Sequence, residues 1–391
     1  MLFLYFSVAQ NNFDSRSPCR DVLTMRSDIR RNLDQLIAEL AASTHICDEE
    51  GPRRFLTYGS FFSGMECPLT ALEMAANTEI DTPRILRAEF ACDINKHCRA
   101  VIAKNFRHRR VYSDITTVNI KNDLVPVDLF WSSAPCQDFS KNGKRQGALN
   151  HRGRLYRYHC RYINYHKPNA WILEQVPSFK EDIKYRREYQ AQLRSLKSSK
   201  IYSIEEHILD TQHFGIPQRR RRLYIIGVKI SKLIRQPHFP GPRLELGQRP
   251  SNLLRLEDLI DNVQGTDNDI PTTSVPVTNL FNGLERAQTR FGVNPLKHLI
   301  VMDLFGSRVN LSRGRAPTIT ATRASSGGYW LSTKCRFTNK DELMRLQGIP
   351  PHRYEWKSTT TERQIGHMIG NGVSVNVACH LMTEIFASSM I

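Results

Sequence analysis

Val127 to Ser140 reads VDLFWSSAPCQDFS: an apolar run, two serines, then Pro135-Cys136-Gln137. An apolar strand that ends in a loop carrying one cysteine is where an α/β enzyme places a nucleophile. Cysteine also packs well as a small apolar residue, so the role of Cys136 depends on what the rest of the chain sets beside it.

On either side of this stretch, from Arg54 onward, strand patterns alternate with helical ones. FLTYGSFFSG runs into an amphipathic segment over Leu69 to Ala76, ILRAEFACD precedes a helix over Lys96 to Lys104, and VYSDIT, VDLFWSSA, WILEQV, IYSIEEHILD and LYIIGV follow. Such repeats predict an α/β fold with a doubly wound, mostly parallel sheet whose ligands sit at the carboxyl ends of its strands. Cys136, Asp93, Asp114 and Glu174 all fall at such ends. After about Lys232 the alternation stops. The stretch to about Trp330 is rich in Pro, Gly and Asn and predicts a loop-rich second, smaller domain with few regular elements. Helical pattern returns in DELMRLQ and in GHMIGNGVSVNVACHLMTEIF, the last read as a helix packing back on the sheet.

At 391 residues the chain is long enough for one large domain and a smaller one. No apolar run approaches the roughly 20 residues that span a bilayer. MLFLYFSVA is too short and lacks the basic start of a signal peptide, and Met25 is a second candidate start. The nine cysteines include no C-x-x-C pair, which argues against a disulfide framework and a zinc site and for a reducing compartment. A net charge of +17 suits a polyanion partner, nucleic acid first. Near the amino end, residues 27–43 set Ile29, Leu33, Leu36, Ile37 and Leu40 on one helical face behind Ser27, a candidate docking helix for another protein.

Glu174 lies 38 residues beyond Cys136, room for one helical crossover, so two neighbouring strand ends would present a thiol and a carboxyl to one pocket. Gln218 opens a run of four arginines ahead of LYIIG. On a strand Arg220 and Arg222 share a face, where guanidinium forks would hold a base carbonyl or phosphates.

In this order the pieces resemble the cytosine 5-methyltransferases. SAPCQDFS is similar to that family's Pro-Cys loop, LEQV to its Glu-Asn-Val motif, and FGIPQRRRRLYIIG to its Gln-x-Arg-x-Arg motif. FFSGMECPLTALE resembles the first cofactor motif, FACDINKHCRAVIAKNF the second and VYSDIT the third. HRGRLY, RFTNKDELMRLQGIP and IGNGVSVNVA resemble later ones, so that matches run in order from about Tyr58 to Ala378.

The resemblance implies a Rossmann-like, S-adenosylmethionine-dependent fold with a target-recognition domain. It divides the chain into an extension (1–50), a catalytic and cofactor-binding domain (51–232), a target-recognition domain (233–335) and a segment returning to the catalytic domain (336–391). By the same resemblance Cys136 is the covalent nucleophile, Glu174 the acid at ring nitrogen 3, and Arg222, with Arg220, the holder of the carbonyl on carbon 2 of a flipped cytosine. Phe62, Ser63, Gly64, Asp93, Ile94, Asp114, Ile115, Pro135, Leu155, Asn371 and Val373 fall on cofactor positions. Gln137, Ser140, Gln218 and Arg219 fall on substrate positions, and no metal is implied.

Three departures stand out. Gly64-Met65-Glu66-Cys67 replaces Gly-x-Gly-Gly, Glu-Gln-Val replaces Glu-Asn-Val, and Asp93 replaces a common glutamate. APTITATRASSGGYW suits phosphate and groove contacts, or equally a Gly-Ser loop around a packed aromatic.

The expected function is methylation of double-stranded DNA by a monomer, in the nucleus of a eukaryotic host or the cytoplasm of a bacterial or viral one. A tRNA-directed enzyme of the same fold is the alternative. It characteristically carries Cys-Phe-Thr-x-x-Tyr, whose nearest string here, Cys335-Arg336-Phe337-Thr338, is interrupted. An inactive cofactor-binding partner is a further reading, set against the intact Cys136, Glu174 and Arg222. A thiol hydrolase pairing Cys136 with His213 leaves the basic run unexplained.

Overall fold

The residues described by the computed structural model are 55–79, 85–136, 139, 152–239 and 254–391. The candidate helix at 27–43 and the substrate positions Gln137 and Ser140 lie outside them.

Strands β1 (Leu56–Phe61), β2 (Leu86–Cys92), β3 (His108–Tyr112), β4 (Leu129–Ser132), β5 (Ala170–Gln175), β6 (Tyr202–Asp210) and β7 (Arg221–Lys229) form one sheet in the order β3-β2-β1-β4-β5-β7-β6. The pairs from β3 to β5 are parallel, and β7 runs antiparallel to both β5 and β6.

Period-two alternation explains the two cores. Leu129 and Trp131 of β4 point into one hydrophobic cluster with Ile172 and Tyr224, while Phe130 points into the other with Trp171 and Leu173. Helices α1 (Cys67–Glu79) and α2 (Lys96–Asn105) connect the first strands, α3 (Tyr156–His166) leads into β5, and α4 (Arg186–Lys197) lies between β5 and β6. Because chain from β1 winds outward to β3 and then crosses back to β4, the strand order reverses between β1 and β4. A crevice opens beyond their carboxyl ends.

The second sheet has the antiparallel order β11-β10-β8-β9, from β8 (Ile300–Asp303), β9 (Asn310–Arg313), β10 (Trp330–Leu331) and β11 (Arg336–Phe337). An 18-residue helix, α5 (Ser274–Phe291), packs Leu280 and Ala287 against Ile300, Met302 and Trp330. This corrects the loop-rich expectation. Pro276 falls in the first turn of α5, where a missing N–H breaks no helical bond, so it opens the helix instead of interrupting it.

Helices α6 (Ala321–Ser325), α7 (Lys340–Leu346), α8 (Glu362–Asn371) and α9 (Val375–Ser388) follow. Gly366 and Gly370 bring α8 onto α6 so closely that a Cβ on either would lie 2.1 Å from Ala324 O and 2.3 Å from Ala321 N, respectively. α9 packs on α1, adding Val377 and Leu381 to the cluster that holds Leu69 and Leu72, so it reaches the sheet through that helix.

Candidate active site

All four residues of β4 are buried, and the extended chain after Ser132 is held from both sides. Gln175 Nε2 donates to Ala134 O at 3.3 Å while Val176 N donates to Gln175 Oε1. Beyond the cysteine, Phe139 N donates to Cys136 O and the Phe139 ring sits 4.6 Å from that of Phe179, with Ser178 Oγ donating to Phe139 O. Cys136 is thus a half-buried thiol on a pinned turn.

The pairing of Ser132 with Leu173 puts Glu174 one residue further along β5, beside the cysteine turn. Arg222 Nε lies 3.0 Å from Glu174 Oε1, with both side chains largely buried. Burial pushes the Cys136 thiol up; Arg222 pulls it down, Glu174 pushes it up, and Arg220 pulls it down. The structure therefore gathers Cys136, Glu174, Arg220 and Arg222 around one point.

The two arginines nevertheless differ in use. Arg220, expected on the substrate beside Arg222, is 3 % exposed and donates to Ile319 O (3.0 Å), Gly370 O (3.4 Å) and Gly372 O (2.6 Å). Two of those carbonyls belong to the carboxyl end of α8, where the helix dipole favours a cation. Burial lowers Arg220 to about 10, which leaves it charged at neutral pH. Gln218, expected at the substrate, is also fully buried and donates to Leu346 O, so its side chain is closed off from the cleft. Arg219 does line the cleft, and its N–H donates to Ala316 O.

Over the strand ends lies a cleft of about 860 Å³. Cys136, Arg222 and Asn371 share it with Arg219, Arg221, Arg286, Arg290 and Arg315. Glu181, 3.1 Å from Arg221, is the acid among its described lining residues. Arg286 and Arg290, from α5, gave no sequence signal because the helix itself was unread.

The crevice side carries the expected cofactor residues in mixed fashion. Phe62 and Gly64 both have positive φ (55° and 57°), and space is open where a Gly64 side chain would stand. Gly64 N donates to Asp93 Oδ2 and Asn95 N to Asp93 Oδ1, both at 2.8 Å, and Ser63 N donates to Cys92 O. Burial raises the Asp93 carboxyl, and these two N–H groups oppose the shift. Ile94, next along, is 76 % exposed. Asp114 Oδ1 accepts from both Thr116 N and Thr116 Oγ1.

Pro135 is half-buried on the cysteine turn, and Leu155 packs partly against the core. Ile115 and Val373, expected at the cofactor, are 4 % and 3 % exposed and point into the two hydrophobic clusters. This leaves only their backbone for a ligand. Asn371, expected to close the cofactor site, lines the arginine-rich cleft and contacts His367.

A thiol, a carboxylate and a guanidinium meet at neighbouring strand ends of an α/β sheet, beside the β1–β4 crevice where such folds bind ligands. Residues 56–387 match the model of the C-5 cytosine-specific DNA methylases, and the chain belongs to that family.

It is similar to the Type II methyltransferase M.HhaI of Haemophilus parahaemolyticus, 26 % identical over 299 residues that span 75 % of this chain and 86 % of the relative. It is also similar to M.NgoFVII of Neisseria gonorrhoeae, 25 % identical over 320 residues, 75 % and 84 % of the two chains. Among solved structures, the Entamoeba histolytica methyltransferase EhMeth superposes with a TM-score of 0.57 and the S. pombe Dnmt2 methyltransferase with 0.56. Both are 17 % identical over 85 % of this chain and 98 % of theirs, a likeness of fold.

Proposed function

We propose that the chain methylates carbon 5 of a cytosine turned out of duplex DNA, through a reversible bond to Cys136. The observation that carries this is the meeting of Cys136, Glu174 and Arg222 at one strand-end site, with Cys136 and Arg222 lining a cleft that six arginines share.

Cytosine is a weak nucleophile at carbon 5. The Cys136 thiolate adds to carbon 6 and makes the ring enamine-like, and the electron density displaced onto ring nitrogen 3 is met by a proton shared from Glu174. Arg222, on the Glu174 carboxylate, faces the carbonyl on carbon 2. S-adenosylmethionine, when bound, supplies the sulfonium methyl that carbon 5 takes up. The carbon 5 proton then departs to solvent and the carbon 6–sulfur bond breaks, restoring the thiolate and the aromatic ring. The hydrogen bonds to Ala134 O and Phe139 O hold the backbone of the Cys136 turn in place while the carbon 6–sulfur bond forms and later breaks.

For the cofactor, the fit rests on three features. Asp93 keeps acceptor capacity beyond the two N–H groups it holds, open space lies beside Gly64, and the exposed apolar Ile94 flanks both. A carboxylate and an apolar ledge suit paired ribose hydroxyls beside a flat ring. Residues 233–335 would carry target recognition, and the cleft's positive wall suits phosphates.

The test is to incubate the chain with labelled S-adenosylmethionine and either duplex DNA or tRNA, with Cys136→Ala alongside. Label in cytosine of DNA that disappears in the variant is expected; label in tRNA alone overturns the DNA reading. Duplex containing 5-fluorocytosine should stay covalently attached, because fluorine cannot leave as a proton does.

A further inference from the structure

In the first cofactor motif Glu66 stands where the resemblance expects a glycine, and that residue has φ +61°, the left-handed region glycine favours. Glu66 immediately precedes α1, and its carbonyl accepts Thr70 N, so an acid here sits at a helix amino end. Its side chain is completely buried. Tyr58 OH donates to Oε2 at 3.0 Å, Ser60 Oγ donates to Oε1 at 2.6 Å, and His108 Nε2 lies 3.1 Å from Oε1.

The contacts continue toward the crevice. Because Ser60 Oγ gives its hydrogen to the carboxylate, it accepts from Ser63 Oγ, 2.6 Å away, and Ser63 Oγ in turn accepts Cys92 N at 2.9 Å. One carboxylate therefore orients a row of hydroxyls that ends on the β2 terminus, beside the Gly64–Asp93 hydrogen bond.

We infer that Glu66 is a positioning residue for the cofactor turn, and that its buried carboxylate does by hydrogen bonding what the missing glycines do by backbone freedom. The inference rests on the cofactor reading above. A carboxylate accepts at both oxygens, whereas an amide accepts at one and donates at the other end. Glu66→Gln therefore sets its NH2 against the Tyr58 or the Ser60 hydroxyl, which loses its acceptor and must turn to accept instead. Glu66→Gly relaxes the backbone but leaves the Tyr58 and Ser60 hydroxyls buried without their acceptor.

The full chain is titrated calorimetrically with S-adenosylhomocysteine, and duplex binding is followed by fluorescence anisotropy without cofactor. Glu66→Gln and Glu66→Gly are expected to raise the S-adenosylhomocysteine Kd about tenfold while the duplex Kd stays within about twofold. Ser60→Ala, fully buried and unable to touch a ligand, should weaken S-adenosylhomocysteine in the same direction, and it carries the test if the Glu66 variants do not fold. A Glu66→Gly chain that binds S-adenosylhomocysteine as tightly as the unaltered one overturns the inference, as does an unchanged Ser60→Ala if that variant alone folds. No binding by the unaltered chain removes the cofactor reading and this inference together.

Discussion

At the scale of single residues, the cysteine turn depends on an amide that is easy to overlook. Gln175 Nε2 is the donor to Ala134 O, and in Gln175→Ala that carbonyl loses its partner inside a largely buried turn. The loss is worth about 1–3 kcal/mol, and it should appear as slower adduct formation on 5-fluorocytosine duplex with duplex affinity unchanged. Unaltered affinity and an unaltered adduct rate would show that the brace does not matter. The thiol makes a second prediction. Burial holds Cys136 above the ordinary thiol range, so its alkylation rate, read on the Cys136 peptide by mass spectrometry, should still be climbing above about pH 8.5. Arg222 opposes that rise, so Arg222→Ala should move the limb to higher pH, and a shift to lower pH would contradict the assigned sign. The placement of Cys136 and Glu174 at neighbouring strand ends was legible because each follows an apolar run. Arg220 was not, since the carbonyls that claim it come from residues 319, 370 and 372, far away in sequence.

At the scale of elements, the strand that leads to Cys136 is tied to its helices by a buried histidine. His159 of α3 lies 3.1 Å from Ser132 Oγ at the end of β4 and 3.0 Å from Gln192 Nε2 of α4. Burial lowers its pKa from the usual 6.5 to about 3. An unfolded chain binds the proton across that interval and the folded one does not, so the stability His159 allows is complete above about pH 6.5. It drains as pH falls toward 3, at up to about 1.4 kcal/mol per pH unit. Urea midpoints at pH 7 and pH 4.5 should differ by more in the unaltered chain than in His159→Gln, and equal differences would exclude the histidine as the cause. Strand-helix alternation made the first seven strands legible. The second sheet was opaque because the Pro- and Asn-rich lead-in hid α5, and because β10 and β11 have only two residues each, too few to show a period.

At the scale of the whole molecule, a net charge of +17 points to a polyanion, but composition says nothing of where the charge gathers. Folding settles that by bringing Arg286 and Arg290 of α5 and Arg315, just after β9, to line the same cleft as Arg219, Arg221 and Arg222. Arg315 is engaged by Gln212, and Arg221 by Glu181. Arg286 and Arg290 form no ion pair among the described residues, so their charge is available to phosphate. Each phosphate contact contributes about 0.9 to the slope of log K against log salt. Arg286→Ala with Arg290→Ala should therefore flatten that slope by about 2. Arg286 reaches Val309 O and Arg290 lies over Phe291, contacts away from Cys136, Glu174 and Arg222, so the double variant should need more DNA but keep its rate once DNA is saturating. An unchanged slope would place the duplex elsewhere on the surface, and a lost rate at saturation would mean that α5 shapes the reacting pocket itself.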